Sequence, residues 1–150
     1  MRALAMASLA LWLAACNEGS APIATWESWN GISPREEPTP PPPLVGTADV
    51  TYVPEGARGL SEVTSVEVRL RVSGLAGPAS VDAEFLAPGP AAYEKRTRTV
   101  VALPTEEREL VFSLPVASTN IPVHGLAGTW EARFFVDGAP LTTTSFTLER

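Results

Sequence analysis

The sequence predicts an all-β domain, an antiparallel β-sandwich of about seven strands, over residues 47–150. Apolar and polar side chains alternate in several short runs of this region, which is the pattern of strands with one buried face. Gly, Pro or Asn residues separate the runs. No apolar pattern of helical period lies between them, and because parallel strands need helical crossovers, the sheets are expected to be antiparallel.

Residues 65–73 give the clearest strand pattern. Val66, Val68, Leu70 and Val72 lie at alternate positions, with Ser, Glu and Arg between them. The other predicted strands, in chain order, are residues 48–53, a strand at Val81, Ala83 and Phe85, residues 93–103, a strand at Leu110, Phe112 and Leu114, residues 130–136, and a strand at Phe146 and Leu148.

Two local features refine this arrangement. Val136-Asp137-Gly138-Ala139-Pro140 predicts the tight turn of the last hairpin, in which Gly138 takes a positive φ. Residues 93–101 break the alternation, because Glu94, Lys95, Arg96 and Arg98 place charge on both faces. Such charges are typical of an edge strand. The alternative is a basic stripe that binds an acidic partner.

The strand count, the spacing, and Trp130 ahead of an aromatic strand and hairpin resemble the immunoglobulin-like sandwiches common in bacterial envelope proteins. The resemblance covers residues 47–150 and depends on pattern alone. The inter-sheet cysteine pair of antibody domains is absent, since Cys16 is the only cysteine. Apolar packing alone must therefore hold the predicted core together.

Residues 1–15 have the layout of an export signal, with Arg2 ahead of an apolar run that is too short to span a bilayer. The run ends in Leu13-Ala14-Ala15-Cys16, which resembles the lipobox of bacterial lipoproteins. This resemblance implies that Cys16 receives a diacylglyceryl group and becomes the first mature residue. The alternative is an ordinary secretory signal followed by a stray thiol.

Asn17 follows Cys16. In bacterial lipoproteins an Asp at this position favours retention in the inner membrane, so Asn17 implies, by the same resemblance, an outer-membrane lipoprotein of a diderm bacterium, on its periplasmic or surface face.

Residues 16–46 are then expected to form a disordered, proline-rich linker. Pro40 to Pro43 favour polyproline II and a semi-rigid spacer. The alternative is a ligand for a proline-binding groove. Trp26 and Trp29 are predicted either to rest among lipid headgroups or to pack against the domain.

Charge and composition argue against several functions. The formal net charge is −6 and no basic cluster with interleaved aromatic residues is present, so nucleic-acid binding is not expected. His124 is the only histidine. A metal or catalytic site needs several converging groups, so we expect no metal, no cofactor and no enzymatic activity.

Carboxylates provide the remaining candidates for chemistry. Asp82 and Glu84 lie on the polar side of a predicted strand, and Glu106, Glu107 and Glu109 flank a turn. A small hydrolase would need such a pair to be brought together by the fold. Neither spacing matches a calcium loop, and charged turns are common on solvated faces.

The sequence therefore predicts a non-enzymatic, membrane-anchored module that binds an envelope protein or polymer. The alternative is a structural or accessory subunit of an envelope secretion, adhesion or assembly complex. Phe135 and Val111 are expected to face outward and are candidate contact residues, although Phe135 could instead cover a neighbouring loop.

Overall fold

A computed structural model describes residues 39–89 and 91–150, which form seven β-strands and one short helix. The elements, in chain order, are β1 (Val45–Val53), β2 (Ser65–Ser73), β3 (Gly77–Ala87), β4 (Ala91–Ala102), β5 (Arg108–Pro115), α1 (Asn120–Val123), β6 (Gly128–Val136) and β7 (Ala139–Leu148).

The strands form two antiparallel sheets that pack as a sandwich. The smaller sheet has the order β1-β2-β5 and the larger sheet has the order β4-β3-β6-β7. The predicted all-β sandwich of seven strands is thus confirmed.

Strand β2 has the predicted limits, and its alternating apolar residues are all fully buried. Other strands extend past their predicted ends. β3 begins at Gly77 and β7 at Ala139, because backbone pairing continues through residues whose side chains carry no alternation signal.

Helix α1 was not predicted, because a single turn is too short to show a helical period. It connects β5 of the smaller sheet to β6 of the larger one. Thr119 caps its N-terminus, and the Thr119 hydroxyl accepts a hydrogen bond of 3.2 Å from the Ile121 amide. Ile121 is completely buried, so the turn contributes one side chain to the core.

Aromatic side chains from both sheets meet in the core. The ring of Phe112 on β5 lies 5.6 Å from that of Phe134 on β6, measured between centroids. Trp130 stacks on Phe146 at 6.1 Å and is fully buried. Its indole N–H donates a 3.0 Å hydrogen bond to the Leu126 carbonyl, so the ring leaves no buried donor unpaired.

The β6–β7 hairpin has the predicted tight turn. Asp137 and Gly138 both have positive φ, 48° and 82°, and Val136 pairs with Ala139. This is the geometry of a two-residue type I′ turn. Asp137 also joins the hairpin to β3, because its carboxylate accepts a 2.8 Å hydrogen bond from the Ser80 amide.

We expect Val68→Ala to lower the free energy of unfolding by about 2 kcal/mol or more, because it removes buried methyl groups and leaves a cavity. Val101→Ala makes the same change at a strand position that is 61% exposed and should cost less than about 0.5 kcal/mol. Urea denaturation of both variants measures the difference. Equal losses would contradict the assignment of Val68 to the core.

Candidate interaction surfaces

The outer face of the larger sheet carries the carboxylates singled out in the sequence. Glu84 lies opposite Lys95 on the neighbouring strand β4. The Lys95 ammonium lies 3.0 Å from Asp82 and 3.6 Å from Glu84. The Thr97 hydroxyl donates a 2.6 Å hydrogen bond to Asp82. The two carboxylates therefore share a cation across β3 and β4, which is a common stabilising arrangement on a solvated sheet face.

These contacts perturb both ionisable groups. The hydrogen bond from Thr97, followed by that from Lys95, lowers the pKa of Asp82. The hydrogen bond to Asp82 in turn raises the pKa of Lys95. Both shifts favour the charged forms, so the pair remains ionised at neutral pH.

The acidic turn between β4 and β5 is also engaged internally. Glu106 accepts hydrogen bonds from the Leu103 amide at 3.0 Å and from Arg108 at 3.1 Å. Glu109 lies 3.4 Å from Arg71 of β2. These carboxylates therefore stabilise the turn and the neighbouring strands, and the fold does not bring them to Asp82 and Glu84.

His124 is exposed and forms the C-cap of α1, where its amide donates to the Asn120 carbonyl at 3.0 Å. Within residues 39–89 and 91–150, no three His, Cys, Asp or Glu side chains are grouped so that they could hold a metal ion. Cys16, Trp26 and Trp29 lie outside the described residues.

One lateral side of the sandwich is closed by side-chain and backbone bonds between its edge strands. The Tyr52 hydroxyl on β1 donates to the Thr147 carbonyl at 3.0 Å and accepts from the Thr147 amide at 3.1 Å. Arg58 covers the Tyr52 ring at 3.6 Å, and Gly59 forms a parallel bridge with Glu149 just beyond β7. The Tyr52 hydroxyl thus pairs with the amide and the carbonyl of Thr147, which the edge strand β7 would otherwise leave unpaired.

The other lateral side contains β4, which is an edge strand as predicted. Arg96 pairs with Glu94 at 2.7 Å, and the Arg98 guanidinium lies 5.8 Å from the centroid of the Phe112 ring on β5. These charges lie on the β4 face that turns toward the gap between the sheets. Inward-pointing charges on an edge discourage pairing with another strand. They favour the edge interpretation over a basic stripe for an acidic partner.

The predicted outward residues Phe135 and Val111 are only half-buried and do not form an exposed apolar patch. Phe135 lines a shallow groove of about 380 Å³ together with Pro140 and Leu141, so neighbouring side chains partly cover it. The large apolar side chains that are exposed among the described residues are Leu44, Val45, Val101, Leu103 and Val123.

Sequence reasoning missed these exposed residues, although one signal was present. Val101 is separated from Lys95 and Thr97 by an even number of positions, so the alternation of a strand places all three side chains on the outer face of β4. Leu44 and Val45 carry no such signal, because they lie where β1 begins.

Comparison with models of known protein families found no match to this chain, and comparison with curated proteins found no similar sequence. None of the helices in the described part of the chain has the length and apolarity required to cross a membrane.

Tyr52→Phe should lower the free energy of unfolding by about 1 kcal/mol, since it removes both hydrogen bonds to Thr147. The Thr147 amide should also exchange its hydrogen faster in deuterated water. The matched control is Tyr93→Phe, whose ring packs on Trp130 and whose hydroxyl has no hydrogen-bond partner among the residues described. Unchanged exchange at Thr147 would show that Tyr52 does not close this edge.

Asp82→Asn should destabilise the protein at neutral pH and have less effect in acid. Because the folded-state pKa of Asp82 is lowered, its contribution is complete above the unfolded value of about 3.9 and is lost as the pH falls through the folded value. The urea midpoints of wild type and variant should therefore differ at pH 7, and the difference should shrink as the pH falls below the unfolded value of about 3.9 and through the lower folded value. A difference between the urea midpoints that is the same at pH 7 and in acid would exclude this linkage. The control is Glu107→Gln, which changes an exposed carboxylate.

Proposed function

We propose that this chain is a bacterial lipoprotein that holds a non-enzymatic β-sandwich interaction module at the cell envelope. The observation that carries the proposal is Leu13-Ala14-Ala15-Cys16 at the end of a short apolar run that follows Arg2. Cys16 is the only cysteine of the chain, so it has no intramolecular disulfide partner, and lipidation accounts for its presence in an exported protein.

The anchor would consist of acyl chains on Cys16. One chain binds membranes only marginally, but each buried CH₂ adds about 0.8 kcal/mol, so the two or three chains of a bacterial lipoprotein retain it firmly. Asn17 favours the outer membrane within this proposal. The proline-rich linker then gives the sandwich reach while it keeps the local concentration high near the membrane.

The groups that the sequence offered as candidates for chemistry are engaged in local contacts within the described residues. Asp82 and Glu84 share Lys95, Glu106 binds Arg108, and His124 caps a helix. An active site requires a nucleophile, acid or base that converges with others on a substrate position. The proposed partner is an envelope protein or polymer bound through loops.

Cys16→Ser should abolish incorporation of labelled palmitate and release the protein from the membrane fraction of cells. The matched control is the double variant Cys16→Ser/Ser20→Cys, which keeps one cysteine but moves it away from Leu13-Ala14-Ala15. The control should also remain unlabelled. Palmitate on either variant, or a mature N-terminus elsewhere than Cys16 in mass spectrometry, would contradict the proposal.

Cross-linking in intact cells, followed by mass spectrometry, tests the interaction module. We expect the lipidated protein to capture a defined envelope component that Cys16→Ser captures poorly, because the anchor raises local concentration. Stable co-purification with integral membrane proteins would identify a subunit of an envelope complex. His124→Ala should leave capture of this partner unchanged. Loss of capture by a folded His124→Ala protein would indicate chemistry at this residue.

A further inference from the structure

Strand β4 is an edge strand whose free side the described part of the chain leaves uncovered. No strand approaches this side of β4 as closely as β1 approaches β7 on the other lateral side. The amide and the carbonyl of Ser80 on β3 are both bonded to Asp137, on the β6 side of the strand. Thr99 lies opposite Ser80, so it directs its own amide and carbonyl away from β3.

The same backbone direction recurs at every second residue of β4, so Val101 also turns its amide and carbonyl toward the free side. Among the described residues, no backbone hydrogen bond outside the β3–β4 pairing reaches Thr99 or Val101. The next outward groups are taken up by the turn, because the Leu103 amide donates to the Glu106 carboxylate and the Leu103 carbonyl accepts from the Glu106 amide. Thr99 and Val101 therefore form a short, open stretch that can pair with another extended backbone.

Charge is distributed unevenly along β4. Four charged side chains lie in its first half: Glu94, Lys95, Arg96 and Arg98. Those that point inward discourage pairing along that half. Residues 99–103 carry no charge, and Val101 and Leu103 are 61% and 63% exposed. The second half of the edge therefore combines open backbone groups with exposed aliphatic side chains and lacks the protection of the first half.

We infer that β4 pairs with β4 of a second copy of this chain, antiparallel about a two-fold axis at Val100. In this register Thr99 lies opposite Val101 of the second copy, and each residue donates its amide to the carbonyl of the other. The two larger sheets join into one continuous sheet, and both copies contribute the same residues to the contact. This inference goes beyond the proposed function and does not depend on the anchor at Cys16.

The charge pattern of β4 favours a second copy as the occupant of the edge. The two-fold axis places Arg98 opposite Ala102 of the second copy, and no like charges face each other. Pairing centred on the charged half would instead bring Arg96 or Arg98 opposite the same residue of the second copy. On the inner face Val100 meets Val100, and on the outer face the two Val101 side chains are diagonal neighbours, so the pairing covers exposed aliphatic surface.

This contact is small, because only the edges of two strands meet. It belongs with weak interfaces, which bury less than about 1,200 Å² in total. We therefore expect a reversible dimer that forms at high protein concentration. Anchoring of both copies in one membrane, as the proposed function has it, would raise their local concentration and strengthen the pairing.

Sedimentation of the full chain tests the pairing, with Cys16→Ser in every sample so that no lipid brings copies together. The chain with native β4 should show a concentration-dependent equilibrium between monomer and dimer. Thr99→Lys/Val101→Lys places like charges opposite each other and should weaken the dimer by about tenfold or more. The matched control, Thr99→Lys/Val101→Glu, places opposite charges in the same positions and should retain the dimer. Both sites are exposed, so both variants should fold, which their urea unfolding midpoints check.

Amide hydrogen exchange followed by NMR locates the contact. The amides of Thr99 and Val101 should exchange severalfold more slowly as the protein concentration rises, whereas Lys95, on the same edge but within the charged half, should be unaffected. Thr99→Pro removes an amide that takes no part in the β3–β4 bonds, so it should weaken the dimer and leave the sheet intact. Thr99→Val, the matched control, keeps the amide and should retain the dimer.

Several results would overturn the inference. One is a chain that stays monomeric at the highest concentration reached, and another is a dimer that the two double substitutions affect equally. A dimer without slower exchange at Thr99 and Val101 would place the contact elsewhere. Cross-linking in cells that joins residues 97–103 to a different protein, while the purified chain remains monomeric, would assign the edge to a strand of that protein instead of a second copy.

Discussion

The inter-sheet core is the interaction on which the rest of the molecule depends. No cysteine pair joins the sheets, so their separation is fixed by packed aromatic rings, above all Trp130, Phe112 and Phe134. Aromatic residues bury large areas and prefer definite ring orientations, so they define both the stability and the spacing of the sheets. The bonds between Tyr52 on β1 and Thr147 on β7 depend on this spacing, because they join one sheet to the other.

Much of this fold was predictable because strand alternation is a direct consequence of backbone geometry. The period of two in β2 specified which residues are buried, the charges of β4 marked an edge, and Asp137-Gly138 marked a tight turn. Pairing between distant strands was not predictable from the pattern. The bond between Tyr52 and Thr147 spans 95 positions of sequence, and nothing local to either residue indicates it.

The same limit applies to the candidate surfaces. The sequence displays Asp82 and Glu84 as a free acidic pair, but the register of β3 with β4 places Lys95 between them. Cross-strand register therefore neutralises this apparent acidic site.

Pairing within the fold satisfies the candidate groups on both lateral sides of the sandwich and on the outer face of the larger sheet. Tyr52 closes one lateral side, inward charges protect the first half of β4 on the other, and ion pairs compensate the outer face of the larger sheet. Loops on a rigid scaffold are well suited to recognition, so under the proposed function the loops at the ends of the sheets would carry the contact with an envelope partner.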